Sequence, residues 1–179
     1  MNDITPGSVL AFWREAGYER WFARDEAFDE RCRIDLLHAH HAAAQRELEH
    51  WMDTPEGALA LVILLDQIPR NVFRDSGHAF ATDPLARHYA ARAIERGDDR
   101  AVDPLLRAFF CMPFEHSESM ADQDRSVQLA AALDGDYLEY ARKHRDVIER
   151  FGRFPHRNRA LGRDNTAEEQ AWLDAGGGF

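Results

Sequence analysis

Four pairs of a capping side chain and a proline strongly constrain the fold of this chain. The pairs are Thr5–Pro6, Thr54–Pro55, Asp83–Pro84 and Asp103–Pro104. Proline is favoured at the first position of a helix, because an N–H there would have no intrahelical partner. Threonine or aspartate just before it accepts a hydrogen bond from the first turn. Each pair therefore predicts the start of a helix.

The apolar residues after these starts follow a helical period. They recur every three or four positions, as in Phe28, Cys32 and Leu36, and no segment alternates convincingly in the manner of a strand. Thr166, with Glu169 three residues later, forms a capping box before a last helix. We therefore expect an all-α fold of about eight antiparallel helices in a single domain. The predicted helices span residues 6–16, 25–51, 55–68, 84–96, 104–111, 118–133, 136–151 and 167–175.

Charge and composition narrow the classes of function. The net charge is −10, from 32 acidic and 22 basic residues, so the chain lacks the general positive field that favours nucleic-acid binding. The apolar run at residues 59–65 is much shorter than the roughly 20 residues of a membrane-spanning helix, and the first residues lack the pattern of a secretory signal, so we expect none. Cys32 and Cys111 are interpreted as buried thiols. We expect a cytoplasmic protein without a nucleic-acid or membrane partner, and a homo-oligomer stays open.

The first of three polar segments interrupts the most apolar run, ALALVILLDQIPR. A helix that is apolar on every side must be buried on every side, yet this one leads into Asp66 and Gln67. Pro69 then removes a backbone donor, so we expect the helix to end or kink there. If one turn continues, Arg70 shares a face with Asp66, and Asn71 with Gln67. These residues form either an ion pair with capping amides or the floor of a polar pocket.

The second polar segment is FEHSE, residues 114–118, which follows an apolar helix. Glu115 next to His116 can raise the pKa of the imidazole or orient its tautomer, which suits general acid–base catalysis. Alternatively, Ser117 or Ser119 caps the next helix, Glu118 favours its positive end, and His116 is a hydrogen-bonded core residue.

The third polar segment, residues 150–163, holds five arginines and one histidine without an acidic side chain. A glycine and a proline prevent a continuous helix, which leaves Arg153, His156, Arg157 and Asn158 on irregular backbone. Guanidinium groups bind carboxylates or phosphates through paired hydrogen bonds. The segment therefore either binds an anion or is tied to acidic helices.

The remaining histidines are assigned structural positions. His144 falls on the inward stripe of predicted helix 136–151 and is interpreted as a core residue. The group at positions 38 to 50 lies on one predicted helix, so its carboxylate–histidine pairs cannot face each other across a bundle. We interpret these four as surface residues: His38, His40, His41 and His50.

Taken together, several motifs resemble domain-of-unknown-function family 924. They are LLDQIPRNVFR, AFATDPLA, PFEHSES and RFGRFPHRN, followed by LGRDNTAEEQAWL. The resemblance runs from about Val9 to Leu173 and implies a tetratricopeptide-like all-α superhelix, mainly in bacteria, without an implied activity. The polar residues of the family's motifs fall on the three polar segments. Cys111 and Met112 stand where we expect larger apolar residues, which bears on the shape of a pocket wall.

We predict that the three polar segments meet around one cleft that binds a small anionic molecule. If this cleft is catalytic, His116 exchanges protons with the support of Glu115, and Asp66 orients a group or acts as a base. Whether a reaction occurs stays open. The predicted ligand-binding residues are Gln67, Arg70, Asn71, Arg153, His156, Arg157 and Asn158.

Two alternatives belong to other classes of function. The first is a tetratricopeptide-like scaffold that binds a protein or peptide in an exposed apolar or basic groove. The second is a metal-dependent enzyme, since carboxylates and imidazoles suit manganese, iron or zinc. No cofactor is predicted apart from the divalent metal of this alternative. Its ligands would be Asp66, Glu115, His116, Glu118 and His156.

Overall fold

The computed structural model describes residues 4–179, and within that range every regular element is helical. This confirms the predicted all-α class, while the tetratricopeptide-like superhelix stays a prediction. None of the helices in this range has the length and hydropathy that crossing a bilayer requires. The α-helices are α1 (Pro6–Ala16), α2 (Tyr18–Trp21), α3 (Glu26–Ala44), α4 (Pro55–Val72), α5 (Asp83–Arg96), α6 (Met112–Glu115), α7 (Met120–Ala130), α8 (Tyr137–Phe151) and α9 (Ala167–Asp174).

Short 3-10 helices join several of these elements, at Glu49–Asp53, Gly77–Phe80, Asp98–Arg100, Arg107–Phe110 and Pro155–Arg157. Two of them correct predicted helices. The predicted helix 25–51 ends at Ala44, because Arg46 adopts a left-handed backbone with φ 64°. The predicted helix 104–111 is a turn followed by a 3-10 helix, although Asp103 accepts the expected hydrogen bond from the Leu105 N–H, at 3.0 Å.

The described chain divides into two compact units. The first comprises the described residues up to Arg74 together with His78–Pro113, and the second comprises Asp75–Gly77 with Phe114–Phe179. The prediction of a single domain stays a prediction. The first polar segment belongs to the first unit, and the second and third polar segments belong to the second unit.

Helix α4 forms the centre of the first unit, where it packs against α1, α3 and α5. Every residue from 57 to 69 is buried, as an all-round apolar helix requires. Around it lies an aromatic group in which the ring of Phe109 stands edge-on to those of Trp13 and Trp21, with centroids 5.6 and 5.1 Å away. Cys32 and Cys111 are both buried, as predicted.

Helix α4 continues past Pro69 to Val72, so the predicted end at residue 68 is wrong, while a kink at Pro69 stays a prediction. Proline leaves the carbonyl four residues earlier, that of Leu65, without its usual backbone donor. The Thr82 hydroxyl replaces that donor and lies 2.6 Å from the Leu65 oxygen. The neighbouring carbonyls of Leu64 and Asp66 also have side-chain partners, at 2.9 Å from His40 Nδ1 and 2.5 Å from Arg70 Nη1.

Two predictions are corrected by these contacts. Thr82, not Asp83, precedes α5, and Asp83 is the first residue of the helix. His40 is buried rather than on the surface, while His38, His41 and His50 are exposed as predicted. Burial lowers the pKa of His40, so the neutral ring meets the Leu64 carbonyl as a hydrogen-bond donor.

The second unit is built on α7 and α8, which pack against each other. Its apolar core contains Val147, Ile148 and Phe154, and Met120 and Trp172 pack against it. The chain leaves α8 at residue 152 and forms a loop and a short 3-10 helix before α9. This loop carries most of the third polar segment.

Replacing Thr82 by valine should destabilise the first unit. The valine leaves the buried Leu65 carbonyl without its hydroxyl donor, which costs about 1–3 kcal/mol in the free energy of unfolding. Chemical denaturation measures this loss, with Thr82→Ser as the control that keeps the hydroxyl. In a Pro69→Ala background, where a backbone N–H is restored, the same valine should cost less. A Thr82→Val protein as stable as the parent would contradict this account.

Candidate functional site

The first polar segment forms a buried network of charges in the first unit. Asp66 is fully buried, and its Oδ2 accepts a hydrogen bond from Gln67 Nε2 at 2.6 Å. The guanidinium of Arg70 lies 3.3 Å from Asp66 Oδ1 and donates two hydrogen bonds to Asp83, at 2.8 and 2.9 Å. Burial by itself would lower the pKa of Arg70, but the charges of Asp66 and Asp83 raise it above its ordinary value.

The two amides of this segment have partners in the same unit. Asn71 Nδ2 donates to Asp29 Oδ1 at 2.8 Å, and Gln67 Nε2 lies 3.5 Å from the sulfur of Met112. The segment therefore forms the predicted Asp66–Arg70 ion pair, but its amides bind carboxylates and a sulfur rather than freed carbonyls. The roles of these residues in ligand binding and catalysis stay predictions.

In the second polar segment, the carboxylate of Glu115 lies against His144, with Oε1 3.4 Å from Nδ1. The same nitrogen lies 2.9 Å from the Tyr140 carbonyl oxygen. Because a carbonyl only accepts hydrogen bonds, Nδ1 carries the hydrogen. Burial lowers the pKa of His144 to about 3, and the nearby His116 adds to this effect. His144 is thus a neutral, buried imidazole, consistent with the predicted core position.

The ring of Phe154 is the centre of a group of side chains that contains three histidines and an arginine. The ring is fully buried. Its centroid is 5.7 Å from that of His144 and 5.5 Å from that of His156, and the Arg157 Cζ lies 4.4 Å above it. The His116 ring is 6.4 Å from the His144 ring. We name these five residues the Phe154 cluster.

A hydrogen bond from Arg157 joins the second and third polar segments. The Arg157 side chain is buried, with 6% of the residue exposed, and Nη1 donates to the His116 carbonyl oxygen at 2.9 Å. A guanidinium above an aromatic face is stabilised by the negative charge density of the ring. His116 and His156 remain partly exposed. The structure thus brings together His116, His156 and Arg157 of the predicted site and adds His144, which the sequence analysis placed in the core only.

Other polar residues of the third segment are tied to acidic side chains. Arg153 donates to both carboxylate oxygens of Glu169, at 2.6 and 2.8 Å, and Asn158 Nδ2 lies 3.4 Å from Glu169 Oε2. Arg163 pairs with Glu118 at 2.8 and 2.9 Å. For these residues the structure shows the alternative in which the loop is anchored to acidic groups.

Gln123 fixes the backbone of the second polar segment, a role that the sequence analysis missed. This fully buried residue of α7 donates from Nε2 to the carbonyl oxygens of Glu115 and Ser117, at 2.7 and 2.6 Å. The Ser117 hydroxyl donates to Asp122 at 2.6 Å and accepts from the Ser119 N–H at 3.3 Å. A glutamine in a predicted helix gives no signal of such a contact, because its partners lie outside that helix.

The described residues, 4 to 179, contain no group of three or more histidine, cysteine or acidic side chains arranged to hold a metal ion. The alternatives of a metal-dependent enzyme and of a peptide-binding scaffold stay predictions.

Comparisons with known proteins identify relatives of unknown function. The model of a family described as "Bacterial protein of unknown function (DUF924)" matches residues 9–177. A solved structure of a protein of unknown function from Agrobacterium tumefaciens is similar to this chain, with 49% sequence identity and a TM-score of 0.92. The similarity covers 95% of this chain and 97% of that one. Among curated proteins, none matches significantly.

Replacing Glu169 by glutamine should lower the free energy of unfolding and make that free energy less dependent on pH in the acid range. Hydrogen bonds from Arg153 and the Thr166 N–H lower the pKa of Glu169 to about 2, below its ordinary 4.5. Ionised Glu169 therefore stabilises the fold above pH 4.5, and this contribution is lost as the pH falls toward 2. Denaturant titrations across this range should show a flatter profile for Glu169→Gln.

The matched control is Glu168→Gln, which removes a neighbouring carboxylate that is 63% exposed and pairs with Arg150. An exposed pair of this kind contributes little to stability. Equal acid profiles for the two variants would show that the partly buried Arg153–Glu169 pair does not anchor the loop.

Proposed function

We propose that this chain, which the match over residues 9–177 shows to belong to the DUF924 family, binds a small anionic molecule at the Phe154 cluster. The ligand carries a phosphate or carboxylate, and its oxygens accept hydrogen bonds from Arg157, His116 and His156. The observation that carries the proposal is the buried guanidinium of Arg157, held above Phe154 beside three imidazoles.

The electrostatics of the cluster support an anion. Burial has the largest effect on the pKa of His144, but positive charge on His116, Arg157 and His156 also lowers it, so these groups act on a common site. Interactions between charges strengthen where water is excluded. A bound anion in this position would offset the mutual repulsion of the cationic groups.

The ligand chemistry follows from the donors. A guanidinium presents a rigid, planar set of N–H groups that matches the oxygens of phosphate and carboxylate, and imidazoles add donors when protonated. His116 and His156 remain partly exposed, whereas His144 is buried and neutral. General-acid catalysis, if it accompanies binding, therefore falls to His116 and His156.

The proposal uses only the second unit. Asp66, Gln67, Arg70 and Asn71 bind one another and neighbouring carboxylates in the first unit, and Arg153 and Asn158 contact Glu169. The first four residues do not enter this ligand site as we propose it. A cytoplasmic location and the absence of a nucleic-acid partner remain expectations from the sequence.

Phosphate should stabilise the protein through the Phe154 cluster. A ligand that binds the folded state raises the melting temperature, so a titration with inorganic phosphate should shift it upward. His156→Gln and Arg157→Gln each remove a charge-assisted donor, and each should weaken phosphate binding about tenfold or more. Two variants are used because Arg157→Gln also removes the hydrogen bond to the His116 carbonyl.

The matched control is Arg150→Gln in the same basic segment. Its side chain is 52% exposed and pairs with Glu168, so its loss changes the net charge equally without touching the cluster. The control should keep the parental response to phosphate. If phosphate, sulfate and acetate all fail to shift the parent, or if all three variants respond alike, the proposed site is wrong.

A further inference from the structure

The side chain of Phe179 lies on the Phe154 cluster as a flat ring. Its centroid is 3.6 Å from that of His144, and the two planes differ by only 11°. The rings of Phe154 and His156 stand nearly perpendicular to it, at 88° and 85°, with centroids 6.2 and 5.7 Å away. The face of His144 and these two rings thus form three sides of a slot that Phe179 fills.

The sequence before Phe179 allows the chain to reach this slot. Gly178 has φ 139°, a conformation that side chains disfavour. A Cβ on Gly177 would lie 2.3 Å from an atom of the Trp172 ring, so only glycine permits this close approach. The two glycines let the backbone pass over Trp172 and place Phe179 against His144.

The Phe179 ring occupies the slot without being locked into it. The residue is 54% exposed, whereas Phe154 beneath it is fully buried. An aromatic contact of this kind is worth only about 0.5–1.5 kcal/mol beyond the area that it buries. A ligand ring of the same shape can therefore replace it without unfolding the core.

We propose that the slot is the binding position for an aromatic ring of the ligand, which therefore belongs to the class of aromatic carboxylates or phosphates, and that Phe179 competes for this position. The inference rests on the proposed function, because the anionic group of the ligand binds the same cationic cluster. His156 connects the two parts, since its ring is one side of the slot and its nitrogens are donors for the anion. When the ligand binds, its ring stacks on His144 and Phe179 moves out.

Two probes with the same anionic group test this inference. Phenylphosphonate carries the ring and methylphosphonate does not, and calorimetric titration measures the dissociation constant of each. Phe179→Ala removes the competing ring. Its affinity for phenylphosphonate should rise about three- to tenfold, the factor that corresponds to the stacking energy. Its affinity for methylphosphonate should stay within about twofold of the parent, since that probe leaves the slot to Phe179.

Phe22→Ala is the matched control, because Phe22 is similarly exposed, at 51%, and lies in the first unit. It should bind both probes as the parent does. Phe179→Leu keeps an apolar side chain but cannot stack as a flat ring, so it should also strengthen phenylphosphonate binding.

Each other outcome overturns a specific part of the account. If both probes bind but Phe179→Ala leaves phenylphosphonate affinity unchanged or lowers it, the slot is not the ring position, while the anion site stands. If affinity for both probes rises equally, Phe179 covers the whole site and does not select a ring. If neither probe binds the parent or Phe179→Ala, the proposed anion site fails and the ligand class fails with it.

Discussion

The candidate site depends on the fixed position of the buried Phe154 ring. The N–H of Phe154 donates to Glu118 Oε1 at 2.8 Å, and its carbonyl accepts from Arg163 Nη2 at 3.2 Å. Arg163 and Glu118 are themselves paired, so one closed set of contacts holds the backbone of Phe154. The ring therefore provides a rigid platform for Arg157 on its face and His144 at its edge. Because these side chains are already ordered, ligand binding does not require the entropy cost of fixing them.

The basic loop of the second unit divides its arginines between two tasks. Arg153 and Arg163 pair with Glu169 of α9 and with Glu118, which precedes α7, and these contacts fix the loop. Arg157 lies over an aromatic ring and donates to the carbonyl of His116. The pairs made by Arg153 and Arg163 hold the loop in place and so position Arg157. This explains how a strongly acidic chain presents a local cationic group.

Local signals in the sequence were sufficient to predict the all-α class, since a capping side chain and the N–H that it binds lie within one turn of each other. Longer-range partners were not predictable in this way. Helix α4 passes Pro69 because the Thr82 hydroxyl, seventeen residues from Leu65, binds the carbonyl of that residue. The contact between Glu115 and His144 was equally unpredictable, because the two residues are far apart in the sequence and folding places α8 beside Glu115. The meeting of all three polar segments in one cleft stays a prediction.

Nitrogen NMR of the histidine rings during a phosphate titration tests the central claim most directly. The chain has 9 histidines, and each ring reports the charge and hydrogen bonding around it. The account predicts saturable shifts for His116 and His156, with little change for exposed His38 and His50. Unchanged signals for His116 and His156 at saturating phosphate, or equal drift of every ring, would contradict an anion site at the Phe154 cluster.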